Sequence, residues 1–174
     1  MRFKNTFPQT RGFTLIEILV VIGIIAILAA IVIIAINPAK QFAQARNTQR
    51  QSNIDAILNA IGQRMSDHKG IFDGSFSVTG DSLSYVCPVL PSGTSTPIKY
   101  DGGHGDNLIS GGTNLSCLTP TYIATFPIDP AQSAGNPDTG YTAGIDSTGR
   151  VTVCAPNAGT ETSIPGATYI CVKR

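Results

Sequence analysis

A single carboxylate, Glu17, stands at the head of an otherwise uncharged apolar run, Ile18 to Ile36. Its setting demands a chemical partner more than that of any other residue in the chain. An ionised acid at the middle of a membrane helix costs about 2.5–3.5 kcal/mol on insertion scales, and less near the interface. On one reading Glu17 sits at headgroup level and stays wet. On the other it awaits a cation where the dielectric constant is low. An α-amine would serve, and cutting the chain between Gly12 and Phe13 would create one. Glu17 would then lie one helical turn beyond the new terminus, on nearly the same face.

The other reactive residues form no catalytic pattern. His68 falls near a helix end and His104 in the Gly-rich stretch Gly102 to Asp106; neither belongs to a triad or metal motif. There is no Gly-x-Ser-x-Gly elbow and no His-Glu-x-x-His, so the chain reads as not an enzyme, with no cofactor and no metal site. A formal net charge of +1 on 174 residues, with aromatics scattered away from any basic stripe, gives no case for direct nucleic-acid binding. The cysteines, Cys87, Cys117, Cys154 and Cys171, include no Cys-x-x-Cys pair. An even number beyond a membrane segment suits disulfides in an oxidising compartment. Three pairings are possible. The sequence-local one, Cys87 with Cys117 and Cys154 with Cys171, is favoured; the other pairings and four buried thiols stay open.

These residues must be positioned by a strongly asymmetric chain. As a helix, Ile18 to Ile36 would be about 28 Å long, the thickness of a bilayer core. Gly23, Ala26 and Ala30 place small residues along one stripe that permits close helix approach. The stub before it, Met1 to Gly12, carries Arg2, Lys4 and Arg11 without an acid. The positive-inside rule keeps that stub cytoplasmic and sends the C-terminal part outward. Pro38 removes the donor for the Ile34 carbonyl, so the helix should bend there. Beyond it, Ile54, Ile57, Leu58, Ile61 and Met65 recur at helical spacing, with Phe42 and Ala45 extending the stripe. Asn53, Asp55, Asn59, Gln63 and Arg64 fall opposite. One long, kinked helix from about Thr14 to Asp67, ended at Gly70, is the expectation.

Strand signals follow at Ser84 to Leu90 and Thr96 to Tyr100. A hairpin runs from Gly140 to Ile145, turns through Asp146 to Gly149 and returns as Arg150 to Ala155. A last strand, Thr168 to Val172, follows the polar connection Pro156 to Gly166. The fold class is α+β: a long N-terminal helix, membrane span first and amphipathic half second, packed on a small antiparallel sheet. The expected domains are a leader (1–12), a transmembrane and polymerisation helix (13–37), an amphipathic helix (38–69) and a connecting loop with the β domain (70–174).

Arg11-Gly12-Phe13-Thr14-Leu15-Ile16-Glu17 and the apolar run after it resemble the processing site of type IV prepilins and type II secretion pseudopilins. The resemblance implies cleavage after Gly12 by a prepilin peptidase that also N-methylates Phe13. It implies that Glu17 neutralises the amine of a neighbouring subunit as a helical homopolymer assembles on an inner-membrane platform. The protein would be single-pass in the bilayer before assembly and extracellular in a filament afterwards. A secretion or DNA-uptake pseudopilus is the alternative within the class; a membrane-anchored binding domain is the alternative outside it. Phe126-Pro127-Ile128-Asp129-Pro130 and Gly140-Tyr141 also resemble a stretch of major pseudopilins beside a calcium loop. That resemblance points to Asp129, Asp138 and Asp146, which lack EF-hand spacing and read more simply as turn residues.

Overall fold

The computed structural model describes residues 12–77, 84–102, 111–133 and 135–174. The stretch expected as a leader, up to Arg11, and the Gly-rich stretch with His104 lie outside the described residues. The chain divides into two units, one ending at Gln41 and one running from Phe42 to Arg174.

In the first unit α1 spans Leu15–Ile36, 22 residues, about 33 Å at the α-helical rise. Each of its residues is exposed. It ends because Asn37 adopts the left-handed conformation (φ 48°) and Pro38 follows. Proline disfavours a right-handed helical residue before it, and asparagine tolerates the left-handed basin better than most side chains. Asn37 also starts the next helix: its Oδ1 accepts the Lys40 N–H at 3.3 Å. The expected single helix from Thr14 to Asp67 is therefore two, α1 and α2 (Pro38–Asp67).

The second unit is built on α2 from Phe42 onward. Ile54, Ile57, Leu58 and Ile61 share one core cluster with Ile98, Leu115, Phe126, Tyr141, Ala143, Val153 and Ala155. Two expectations for α2 are corrected. Phe42 is 67 % exposed and Ala45 is exposed as well; the buried residue in that turn is Ala43. Arg64, assigned to the outer face, is 1 % exposed. The buried stripe runs Ala43, Arg50, Ile54, Ile57, Ile61 and Arg64, so two arginines occupy positions that an apolar count cannot see. The helix closes with Gly70 (φ +87°), whose N–H donates to the Met65 carbonyl at 2.7 Å.

The strands are β1 (Gly74–Ser77), β2 (Ser84–Cys87), β3 (Thr96–Lys99), β4 (Thr113–Asn114), β5 (Asp138–Ile145), β6 (Val151–Ala155) and β7 (Ile170–Lys173). β1 and β2 form a separate two-stranded ribbon; the main sheet has the order β4-β3-β5-β6-β7. It is antiparallel except for the short β3–β4 pair. β2 stops at Cys87 because Pro88 has no N–H to continue the ladder. The β5–β6 turn is organised by Asp146, whose Oδ1 accepts the N–H groups of Thr148 (2.9 Å) and Arg150 (3.0 Å). Gly144 passes so close to the 91–95 segment that a Cβ built there would clash with the Thr94 carbonyl oxygen. The architecture is α+β, a long apolar helix followed by a second helix and a small, mostly antiparallel sheet, consistent with a pilin fold.

Candidate assembly site at the N-terminal helix

Thr14 and Glu17 close the start of α1 on each other. The Thr14 hydroxyl accepts the Glu17 N–H at 3.3 Å. The Glu17 carboxylate in turn accepts the Thr14 N–H at 2.9 Å and the Thr14 hydroxyl at 2.8 Å. This is a capping box, which satisfies donors that a helix start otherwise leaves open. Thr14 was missed by sequence reasoning that took Glu17 alone, although Thr-x-x-Glu before an apolar run is its signature. Both bonds received by the carboxylate fall on Oε2. The cap therefore orients the group and leaves Oε1 for a second donor. Gly12 and Phe13 precede the helix in non-helical conformation, both exposed. α1 is long and apolar enough to cross a membrane by length and composition, which fits a single-pass anchor.

The carboxylates considered for calcium each have other partners. Asp129, read as an ordinary turn residue, does accept the Ala131 N–H at 2.8 Å, but it is 2 % exposed and pairs with Arg50. Arg50 donates from Nε to Asp129 Oδ2 (2.7 Å), from Nη2 to Oδ1 (3.1 Å), and from Nη1 to Glu161 Oε1 (2.6 Å) and Asn47 Oδ1 (2.7 Å). Arg46 holds the same glutamate through Nε at 2.8 Å. Hydrogen bonds from Arg46, then Arg50, hold the Glu161 carboxyl down at about 2 against the effect of burial. Asp138 takes the Lys99 ammonium at 2.8 Å. Asp146 lies at about 2, chiefly because of the Thr148 hydroxyl. Among the described residues no three His, Cys, Asp or Glu side chains come together as a metal site. His68, just beyond the end of α2, is half-buried with its ring 5.6 Å from that of Phe76.

Both disulfides join sequence neighbours. Cys87 bonds to Cys117, and Cys154 bonds to Cys171.

Residues 8–33 match the model of the prokaryotic N-terminal methylation motif. That span takes in Gly12, Phe13, the Thr14–Glu17 cap and most of α1. A stretch of 60 residues is 42 % identical to the type IV major pilin protein PilA of Myxococcus xanthus (strain DK1622), covering 34 % of this chain. That match spans 26 % of the relative's own length. Together the two findings support a type IV pilin family for the chain. No solved structure matches it.

Proposed function

We propose that the chain is the structural subunit of a type IV pilus-like filament, cut after Gly12 by a prepilin peptidase, methylated on Phe13 and assembled through α1. The observation that carries this reading is the methylation motif running directly into a bare apolar helix whose one charge is Glu17. Cleavage on the cytoplasmic side removes the basic stub and leaves the helix in the bilayer. Gly12, with no side chain, lets an extended segment approach a protease closely.

In a core built from such helices a buried carboxylate is penalised unless it is paired. The Phe13 amine of a second copy supplies the counter-charge, and the capping box presents Oε1 to it. The pairing then acts as a registry device: subunits stack only where amine meets acid. The C-terminal unit lies outside the cytoplasm in this arrangement, a compartment in which its two disulfides persist. The partners are other copies of this chain, the peptidase with its methyltransferase activity, the inner-membrane platform, and lipid before assembly. The function is structural.

Mass spectrometry of the mature N-terminus is the test. A chain beginning at methylated Phe13 is expected; one retaining Met1 overturns the reading and leaves a tethered domain. Glu17→Ala separates insertion from assembly: membrane levels should equal those of the unchanged chain while filaments are lost. Normal filaments from that variant would remove Glu17 from the mechanism.

A further inference from the structure

The two disulfides occupy opposite environments. Cys87 and Cys117 are 2 % and 0 % exposed and belong to the core cluster. Cys171 is exposed and Cys154 half-buried. The reason is strand alternation, which sends successive side chains to opposite faces. On β6, Val153 and Ala155 enter the core and Cys154 between them faces out; on β7, Ile170 and Val172 lean inward while Cys171 and Lys173 face solvent. Cys154 and Cys171 stand directly opposite each other in the register. The bridge therefore lies across the outer face of the sheet, at its terminal strand.

We propose that Cys154–Cys171 is a site of thiol–disulfide exchange, attacked at Cys171 by a small thiol or dithiol, and that exchange there loosens β7 and the segment before it while the Cys87–Cys117 bridge stays closed. An attacking thiolate must reach a sulfur along the S–S axis, which burial denies at Cys87 and Cys117. At Cys171 the approach is from water; Lys173, two residues on along the same exposed face, has its ammonium 3.6 Å from the Asp146 carboxylate. In the first step the thiolate bonds to Cys171 Sγ, the bond between the two cysteines breaks, and Cys154 leaves as a thiolate that takes up a proton. With a dithiol, its second thiolate attacks its own sulfur in the mixed disulfide and frees Cys171. The dithiol is oxidised to a cyclic disulfide, and the protein bridge gains two electrons.

The structural consequence is local. Residues 162–169 contain no buried residue; apart from the Tyr169 ring, which lies against Gly159, the segment is held by its ends. One end is Glu161, fixed by Arg46 and Arg50; the other is Cys171. Exchange releases the covalent end only. β7 is then an edge strand paired on one side, with Ile170 and Val172 its only half-buried side chains.

Full-length chain in mild detergent, titrated with dithiothreitol and trapped with an alkylating reagent, tests this by peptide mass spectrometry. Cys154 and Cys171 should be labelled about tenfold faster or more than Cys87 and Cys117. Amide exchange should rise across 162–173 and stay unchanged in α2 from Ile54 to Ile61. Equal labelling rates, or faster labelling of the core pair, overturn the site. The double variant C154S/C171S reports on the second half of the proposal. Native-like amide protection across 162–173 in that variant would show that the bridge fastens nothing.

Discussion

Arg50 and Arg64 lie on the buried stripe of one helix and meet opposite fates. Arg50 is 0 % exposed and uses its guanidinium on three side chains, two of them carboxylates. Arg64 is 1 % exposed, yet it has only a 3.3 Å bond from Nη2 to the Gly74 carbonyl and the Phe76 ring 4.3 Å from its guanidinium carbon. Its Nε and Nη1 have no hydrogen-bond partner among the described residues. Burial accordingly pulls the Arg64 guanidinium below its ordinary value. The contrast teaches that burial of a cation says little about stability until its partners are counted. A buried ion with matched acids is expensive to break, and one without them is expensive to keep.

The largest effect should come from Arg50→Met, which strands Asp129 in the interior and leaves Glu161 with Arg46 alone. Chemical denaturation of the full chain in detergent should show a loss of about 3–5 kcal/mol. Next is acid. Glu161 titrates at about 2 in the folded chain against an ordinary 4.5, so its contribution is full above about 4.5 and disappears as pH falls toward 2. Melting temperature measured across that window should fall, and Glu161→Gln should flatten the fall. Arg46→Met should cost less, because its side chain is 39 % exposed and water screens the pair. The smallest change is expected at Arg64→Met. Losing one long bond and a cation–π contact opposes relief of an unpaired charge, which leaves stability within about 1 kcal/mol of the unchanged chain. A loss at Arg64 equal to that at Arg50 would break the comparison.

The parts of this molecule that could be read from sequence are the local ones. The Asp146 to Gly149 turn and its flanking strands follow from hydrogen bonds made within a few residues, and the Ile54 to Ile61 stripe follows from period alone. The cap at Thr14 was equally local and was passed over. Arg50 could not be read, because its acids lie 79 and 111 residues away in the chain. Two arginines on the inward stripe also blur the amphipathic pattern, which placed Arg64 outside. β1 and β4 carried no usable signal: one is short and mostly exposed, the other is two residues in a parallel pair. The helix break was half visible. Pro38 announced a disturbance, but the left-handed Asn37 that turns a bend into an ending is a property of the pair.

The tight passage at Gly144 has a consequence for any survey of single substitutions. The position makes no side-chain contact, and its neighbours Ala143 and Ile145 are ordinary apolar strand residues that should accept isosteric swaps. Yet the smallest enlargement, Gly144→Ala, would push β5 off the Thr94 carbonyl and out of line with its flanks. In a deep mutational profile the hairpin should therefore show a narrow spike of intolerance at a residue with nothing to lose, produced by the space it leaves empty.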